Sequence, residues 1–200
     1  LDVKVGSGAF MKDLDKAGQL ARTMVDLGKS AGVKTSALLT DMSTPLGLAV
    51  GNAVEVAEAV EVLAGGGPAD VVELTLALAR EMLAAVGLVD VDPADVLASG
   101  RAMDVWRAMV AAQGGDPDAP LPRAPEVEYV RASRDGVVST IDALAIGTAA
   151  WRLGAGRARK EDPVSAAAGV VLHRTVGEPV RAGKAPTSCG RRAPIRCRRL

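Results

Sequence analysis

The first forty residues restrict the fold more than any other part of the chain. LDVKV (Leu1–Val5) alternates apolar and polar side chains and reads as a strand. From Leu14 the apolar positions recur at helical spacing through Ala17, Leu20/Ala21, Met24, Leu27 and Ala31. Asp13 is placed to cap that helix and Gly32 to close it. Val33–Leu39 resumes strand character. Strand, helix and strand in this space form a βαβ unit, which requires parallel strands and an α/β layer. In open α/β sheets ligands gather beyond the carboxyl ends of the strands. The segments Gly6–Met11 and Thr40–Gly51 both follow such ends, so they are expected to face one cleft. GSG at Gly6–Gly8 can cradle phosphate if it opens directly onto a helix. Ala9-Phe10-Met11 intervenes, which favours a plain strand-end loop.

Thr40–Gly51 leads into a second helix, capped by Asn52, that carries Glu55, Glu58 and Glu61 three residues apart and so roughly on one face. The Pro45-Leu46-Gly47 turn offers carbonyls at a bend, and Glu58 can aim a carboxylate at them. Oxygen donors of this kind suit a hard cation. The alternative is a solvated acidic face, since surface helices carry charge opposite their apolar stripe. Gly65-Gly66-Gly67-Pro68 ends the helix as a flexible link, with Asp70 read as the next cap. Val71–Val86 is apolar on nearly every side, which predicts a buried helix. Asp92-Pro93 starts a short helix ending near Gly100, and Arg101–Gln113 forms another with Trp106 and Met109 inward.

The polar, Pro-rich stretch 114–125 (GGDPDAPLPRAP) divides the chain. It separates an α/β domain over 1–113 from a smaller β-rich α+β sub-domain over 126–183. In the latter, Val127–Ala132 and Val137–Ile141 read as a hairpin around Asp135-Gly136. A helix follows over Ala143–Leu153, then an apolar run over Ser165–Leu172. Residues 184–200 carry six cations and no acid, leaving 18 Lys/Arg against 24 Asp/Glu before Lys184, a net of −6. An acidic body gives no footprint for nucleic acid. The basic end reads either as a nucleic-acid arm or as a frame-shifted terminus expected to be disordered; the second is preferred because it continues no structural pattern. It also holds both cysteines, Cys189 and Cys197, so the body suits a reducing compartment and offers no thiolate metal site. No apolar run reaches the roughly 20 residues that a membrane helix needs. The chain opens on a strand already under way and lacks an initiator Met, so a further segment is expected upstream of Leu1.

Six stretches, DVKVGSGAFM, LLTDMSTPLGLAVGNAVEV, GGGPADVVELTLALAREML, AAQGGD, DGVVSTIDALAIGTAAWRLGAGRARKED and GVVLH, together strongly resemble the thymidine/pyrimidine-nucleoside phosphorylase family across about residues 1–183. The resemblance implies a cytoplasmic homodimer of nucleoside salvage. It would cleave thymidine, and in some members uridine, with inorganic phosphate as co-substrate and no organic cofactor, yielding the base and a sugar 1-phosphate. The family's phosphate loop and its base-binding Arg, Ser and Lys lie upstream of the strand that begins here. No catalytic residue is therefore expected within the chain, and the 200 residues alone are expected to be inactive. Two sets carry over. Phe10 matches a position lining the base pocket, with a core role as the alternative. Leu46 and Ala49, through their carbonyls, and Glu58, through its carboxylate, match part of a site for a monovalent cation such as potassium, whose other ligands come from the phosphate loop. His173, the single histidine, is expected to be structural. The rival readings are a non-catalytic binding or assembly module that keeps the fold, and an anthranilate phosphoribosyltransferase, against which the β-rich end counts. A lipoyl-type carrier is disfavoured because the Asp135-Gly136 turn presents no lysine.

Overall fold

The computed structural model describes residues 1–191, and the protein is mixed α/β as expected. The chain divides into two compact units. The first comprises Leu1–Gly47, Ala59–Ala119 and Asp142–Leu144; the second comprises Leu48–Glu58, Pro120–Ile141 and the residues from Ala145 on. This division differs from a simple cut at 114–125, because Leu48–Glu58 groups with the later part of the chain.

In the first unit, β1 (Asp2–Val5) pairs in parallel with β2 (Leu38–Asp41), in the register Asp2↔Leu38 to Val5↔Asp41. The βαβ reading holds, but β2 begins later than expected and Val33–Ala37 is irregular. Helix α1 (Leu14–Ser30) starts where Asp13 accepts the Lys16 N–H at 2.9 Å, and Gly32 follows its end with φ of 76°. The helix meets β1 through alanines. Ala17 and Ala21 are buried against Val3, with Val5, Met11 and Ala37 around them. Small side chains at the contact let helix and strand approach closely, a packing that needs no aromatic residue.

Helix α3 (Ala69–Ala85) corrects two expectations. Pro68, not Asp70, stands at its N-cap, and Asp70 Oδ1 instead accepts the adjacent Val71 N–H. The helix has no buried residue and Met82 is 65% exposed, so its apolar circumference is not enclosed. Its contacts to the β2 side are polar: Lys34 Nζ donates to the Ala84 carbonyl at 2.9 Å and Ser36 Oγ to Glu81 Oε2 at 2.8 Å. Helix α4 (Pro93–Ala98) begins on Asp92, which accepts the Ala94 N–H at 3.0 Å and meets Arg80 at 3.2 Å. In α5 (Arg101–Ala112) Trp106 is half-buried and Met109 exposed, so the predicted inner face is only partly covered.

The second unit holds an antiparallel sheet in the order β3-β6-β8-β4, with β3 Ala49–Gly51, β6 Gly169–Leu172, β8 Thr187–Arg191 and β4 Glu126–Val130. Strand β8 overturns the reading of the basic end as wholly disordered: residues 187–191 fill the space between β6 and β4. Cys197 lies outside the described residues. The expected hairpin also differs. β4 pairs with β8, whereas β5 (Gly136–Val137) pairs with β7 (Pro179–Val180). Asp135 Oδ1 accepts the Ala182 N–H at 2.7 Å, so the turn carboxylate tethers β5 to the segment after β7 rather than closing back on β4. Helix α6 (Ala143–Ala150) runs into a wider turn at Trp151–Ala155, broken where Gly154 has φ of 107°. The core gathers Ala150, Val170 and Leu172, with Leu48, Ile146 and Leu153 packed around them.

Candidate functional site

The parallel register of β1 and β2 places their carboxyl ends side by side, and the two following loops are joined there. Met42 N–H donates to the Val5 carbonyl at 2.7 Å and Gly8 N–H to the Met42 carbonyl at 2.9 Å. Ser7 Oγ donates to the Ser43 carbonyl at 3.3 Å. The close approach needs glycine: a Cβ on Gly6 would stand 2.4 Å from Ser43 Oγ, and one on Gly8 2.7 Å from the Met42 oxygen. The loop closes on itself through Gly6 N–H to the Met11 carbonyl at 3.0 Å. This geometry leaves Phe10 97% exposed, so it is not part of the core formed by the described residues. It stands in the loop that follows β1, and an apolar ring so displayed can form one wall of a site.

On the β2 side, Asp41 Oδ1 accepts the Ser43 N–H at 3.0 Å. Hydrogen bonds from the Ser43 hydroxyl and then its backbone N–H hold the carboxyl below its ordinary range, against a smaller opposing effect of burial. At the bend, Gly47 N–H donates to Asp70 Oδ2 at 2.9 Å. Asp70, read from sequence as a helix cap, thus fixes the turn that contains Leu46. The sequence signal for this role was absent, because an acid two residues after a proline is an ordinary helix start.

The division between the two units falls between Gly47 and Leu48. Leu46 belongs to the first unit, and Ala49 and Glu58 belong to the second. Ala49 opens β3 and is buried. Glu58 lies on α2 (Ala53–Leu63), and its Oε1 accepts the Leu48 N–H at 2.8 Å. The carboxylate therefore meets a backbone donor just before β3, where the sequence reading aimed it at the carbonyls of the bend. One turn earlier, Glu55 Oε1 accepts the Gly51 N–H at 2.8 Å. Two of the three acids on this helix thus hold backbone N–H groups of the segment before it, which departs from a purely solvated acidic face. Asn52 precedes α2, but its side-chain nitrogen donates to the carbonyls of Ala155 at 3.0 Å and Ser165 at 3.4 Å.

Among the described residues no group of three or more His, Cys, Asp and Glu is arranged for a metal ion. Backbone carbonyls and a carboxylate are hard oxygen donors, which suit a monovalent cation rather than a transition metal. His173 Nε2 lies 2.9 Å from Ser188 Oγ, and Tyr129 stacks on its ring at 6.3 Å between centroids. These contacts agree with a structural histidine.

A parallel α/β layer with its loops meeting at the strand ends is thus followed along the chain by an antiparallel β-rich unit. Residues 1–104 match the family described as "Glycosyl transferase family, a/b domain", and residues 137–185 match "Pyrimidine nucleoside phosphorylase C-terminal domain". The chain belongs to the thymidine/pyrimidine-nucleoside phosphorylase family. Over 184 residues, 92% of the chain, it is 59% identical to thymidine phosphorylase of Mycobacterium tuberculosis. It is 46% identical over 195 aligned positions to pyrimidine-nucleoside phosphorylase of Geobacillus stearothermophilus, and 44% identical to that of Bacillus subtilis. The chain spans less than half the length of these relatives, 43% of the first and 45% of the other two.

Proposed function

We propose that these residues form the scaffold wall of a pyrimidine-nucleoside phosphorylase site. The whole enzyme would convert thymidine and inorganic phosphate to thymine and 2-deoxyribose 1-phosphate. Support comes from the family membership together with one observation: the Gly6–Met11 loop seats directly on Met42–Ser43 at the carboxyl ends of β1 and β2.

In such a reaction a phosphate oxygen attacks the anomeric carbon, the bond from that carbon to the base nitrogen breaks, and the departing base takes up the bonding pair and then a proton. Positioning of the phosphate and stabilisation of charge on the leaving base supply most of the acceleration. The residues that resemblance assigns to those tasks are not among these 200, so the chain by itself does not turn over. Its own part is to hold the strand-end loops in register, with Phe10 as an apolar wall toward the base. The carbonyls of Leu46 and Ala49 and the Glu58 carboxylate would hold a monovalent cation, potassium being the proposed one. That ion would supply a fixed positive charge near the phosphate-binding segment. The active assembly is proposed to be a homodimer working in cytoplasmic nucleoside salvage. No nucleic acid, membrane or organic cofactor takes part.

The test is to join the chain to the upstream portion of the Mycobacterium tuberculosis relative and follow thymine release from thymidine. Release that requires phosphate supports the assignment. A joined, folded protein that releases none contradicts it.

A further inference from the structure

The second unit contains a cleft of about 620 Å³ that the phosphorolysis reading leaves unused. It lies between His173-Arg174, strand β7 and the Lys184–Pro186 segment. Its volume falls within the roughly 300–1,000 Å³ typical of small-molecule sites. Every lining side chain that carries a permanent charge is a cation: Arg174, Arg181 and Lys184. The apolar part of the wall is Pro179, Val180 and Pro186.

The nearby carboxylates are engaged elsewhere. Glu178 Oε2 accepts the Thr175 N–H at 2.6 Å and Asp135 Oδ1 accepts the Ala182 N–H at 2.7 Å, and neither lines the cleft. The backbone that presents the cations is held at several points. Ala132 N–H donates to the Lys184 carbonyl at 2.8 Å, Gly183 N–H to the Ala132 carbonyl at 2.9 Å, and Lys184 N–H to the Arg181 carbonyl at 3.0 Å. His173 N–H donates to the Pro186 carbonyl at 2.7 Å, which ties the two rims together. Arg174 Nη1 uses one donor on the His173 carbonyl at 2.6 Å and keeps the others for a ligand.

We infer that this cleft binds a small phosphorylated organic anion of nucleotide size. Three cations on a backbone already fixed favour a phosphate dianion, because guanidinium forks pair with phosphate oxygens and little ordering remains to be done on binding. The proline and valine wall receives an apolar or planar group attached to that phosphate. Inorganic phosphate alone would leave this wall wet and is expected to bind more weakly. The inference does not depend on phosphorolysis.

Calorimetric titration of the 200-residue chain with uridine 5′-monophosphate, uridine, inorganic phosphate and a short oligodeoxynucleotide tests it. The monophosphate is expected to bind at one saturable site, more tightly than uridine or phosphate. In the Arg181→Gln/Lys184→Gln double variant, binding should weaken about tenfold or more, the effect of losing charge-assisted hydrogen bonds, with the circular dichroism unchanged. Should the double variant unfold, Lys184→Gln alone must still weaken binding measurably. The inference is overturned by a monophosphate bound no better than uridine, by folded variants that bind as well as the parent, or by an oligonucleotide bound in preference.

Discussion

Leu48 donates its backbone N–H to Glu58 Oε1 at 2.8 Å, so a carboxylate on α2 holds the residue that leads into β3. The same residue's carbonyl accepts the Leu172 N–H at 2.7 Å. Leu48 is thus fixed from both sides, by a side chain and by the sheet. Glu58→Gln keeps an oxygen that can accept the N–H and is expected to leave stability nearly unchanged. Glu58→Ala orphans a half-buried donor and is expected to cost about 1–3 kcal/mol, read by urea denaturation. In a full-length protein, Glu58→Gln should weaken the potassium dependence of the rate; an unchanged dependence would reject the cation role.

The junction of β3 with β6 depends on two glycines. A Cβ on Gly51, where φ is 155°, would stand 2.6 Å from the Ala168 carbonyl oxygen, and one on Gly169 would stand 2.8 Å from the Val50 oxygen. Gly169→Ala is expected to destabilise the protein by about 1–3 kcal/mol, because backbone must shift to admit the methyl group. Gly147, inside α6, meets nothing within 4 Å. Gly147→Ala should therefore stabilise by about 0.5–1 kcal/mol through helix propensity. Thermal unfolding of the two variants should move in opposite directions.

Asp41 lies at the end of β2 with its carboxyl held below its ordinary range by Ser43. A carboxyl with a lower folded than unfolded pKa stabilises the fold above the unfolded value, about 3.9, and loses that contribution as pH falls through the folded value. Asp41→Asn keeps an acceptor for Ser43 but removes the titration. Its stability should fall less steeply than the parent's below about pH 4 in acid denaturation.

The Asp13 side chain caps α1 by accepting the Lys16 N–H at 2.9 Å. Asp13→Ala is expected to cost about 0.5–2 kcal/mol in chemical denaturation, the usual loss for an N-cap.

What the residues disclosed follows from the range of the interactions involved. Local signals came through: Asp13 and Asp92 cap where their positions indicated, Gly32 closes α1, and the alternation in Leu1–Val5 gives a strand. Pairings set by distant residues did not. Asp135-Gly136 carries a turn signature, yet β5 goes to β7 because the Asp135 carboxylate bonds Ala182, 47 residues away. The apolar circumference of α3 predicted burial, but periodicity describes the helix and not what surrounds it. Of the candidate site, only a reach of Glu58 back toward the Pro45-Leu46-Gly47 bend was legible from its place on the helix, and not the Leu48 N–H that it meets. The roles of Asp70 on Gly47 and of Gly6 and Gly8 against Met42–Ser43 were not, since each depends on a chain segment brought close only by folding.

The most direct measurement is phosphorus NMR of thymidine and inorganic phosphate incubated with the chain alone, and with the chain joined to the upstream portion of the Mycobacterium tuberculosis relative. The account predicts a 2-deoxyribose 1-phosphate resonance only with the joined protein. Sugar phosphate formed by the 200 residues alone, or none from a folded joined protein, would contradict it.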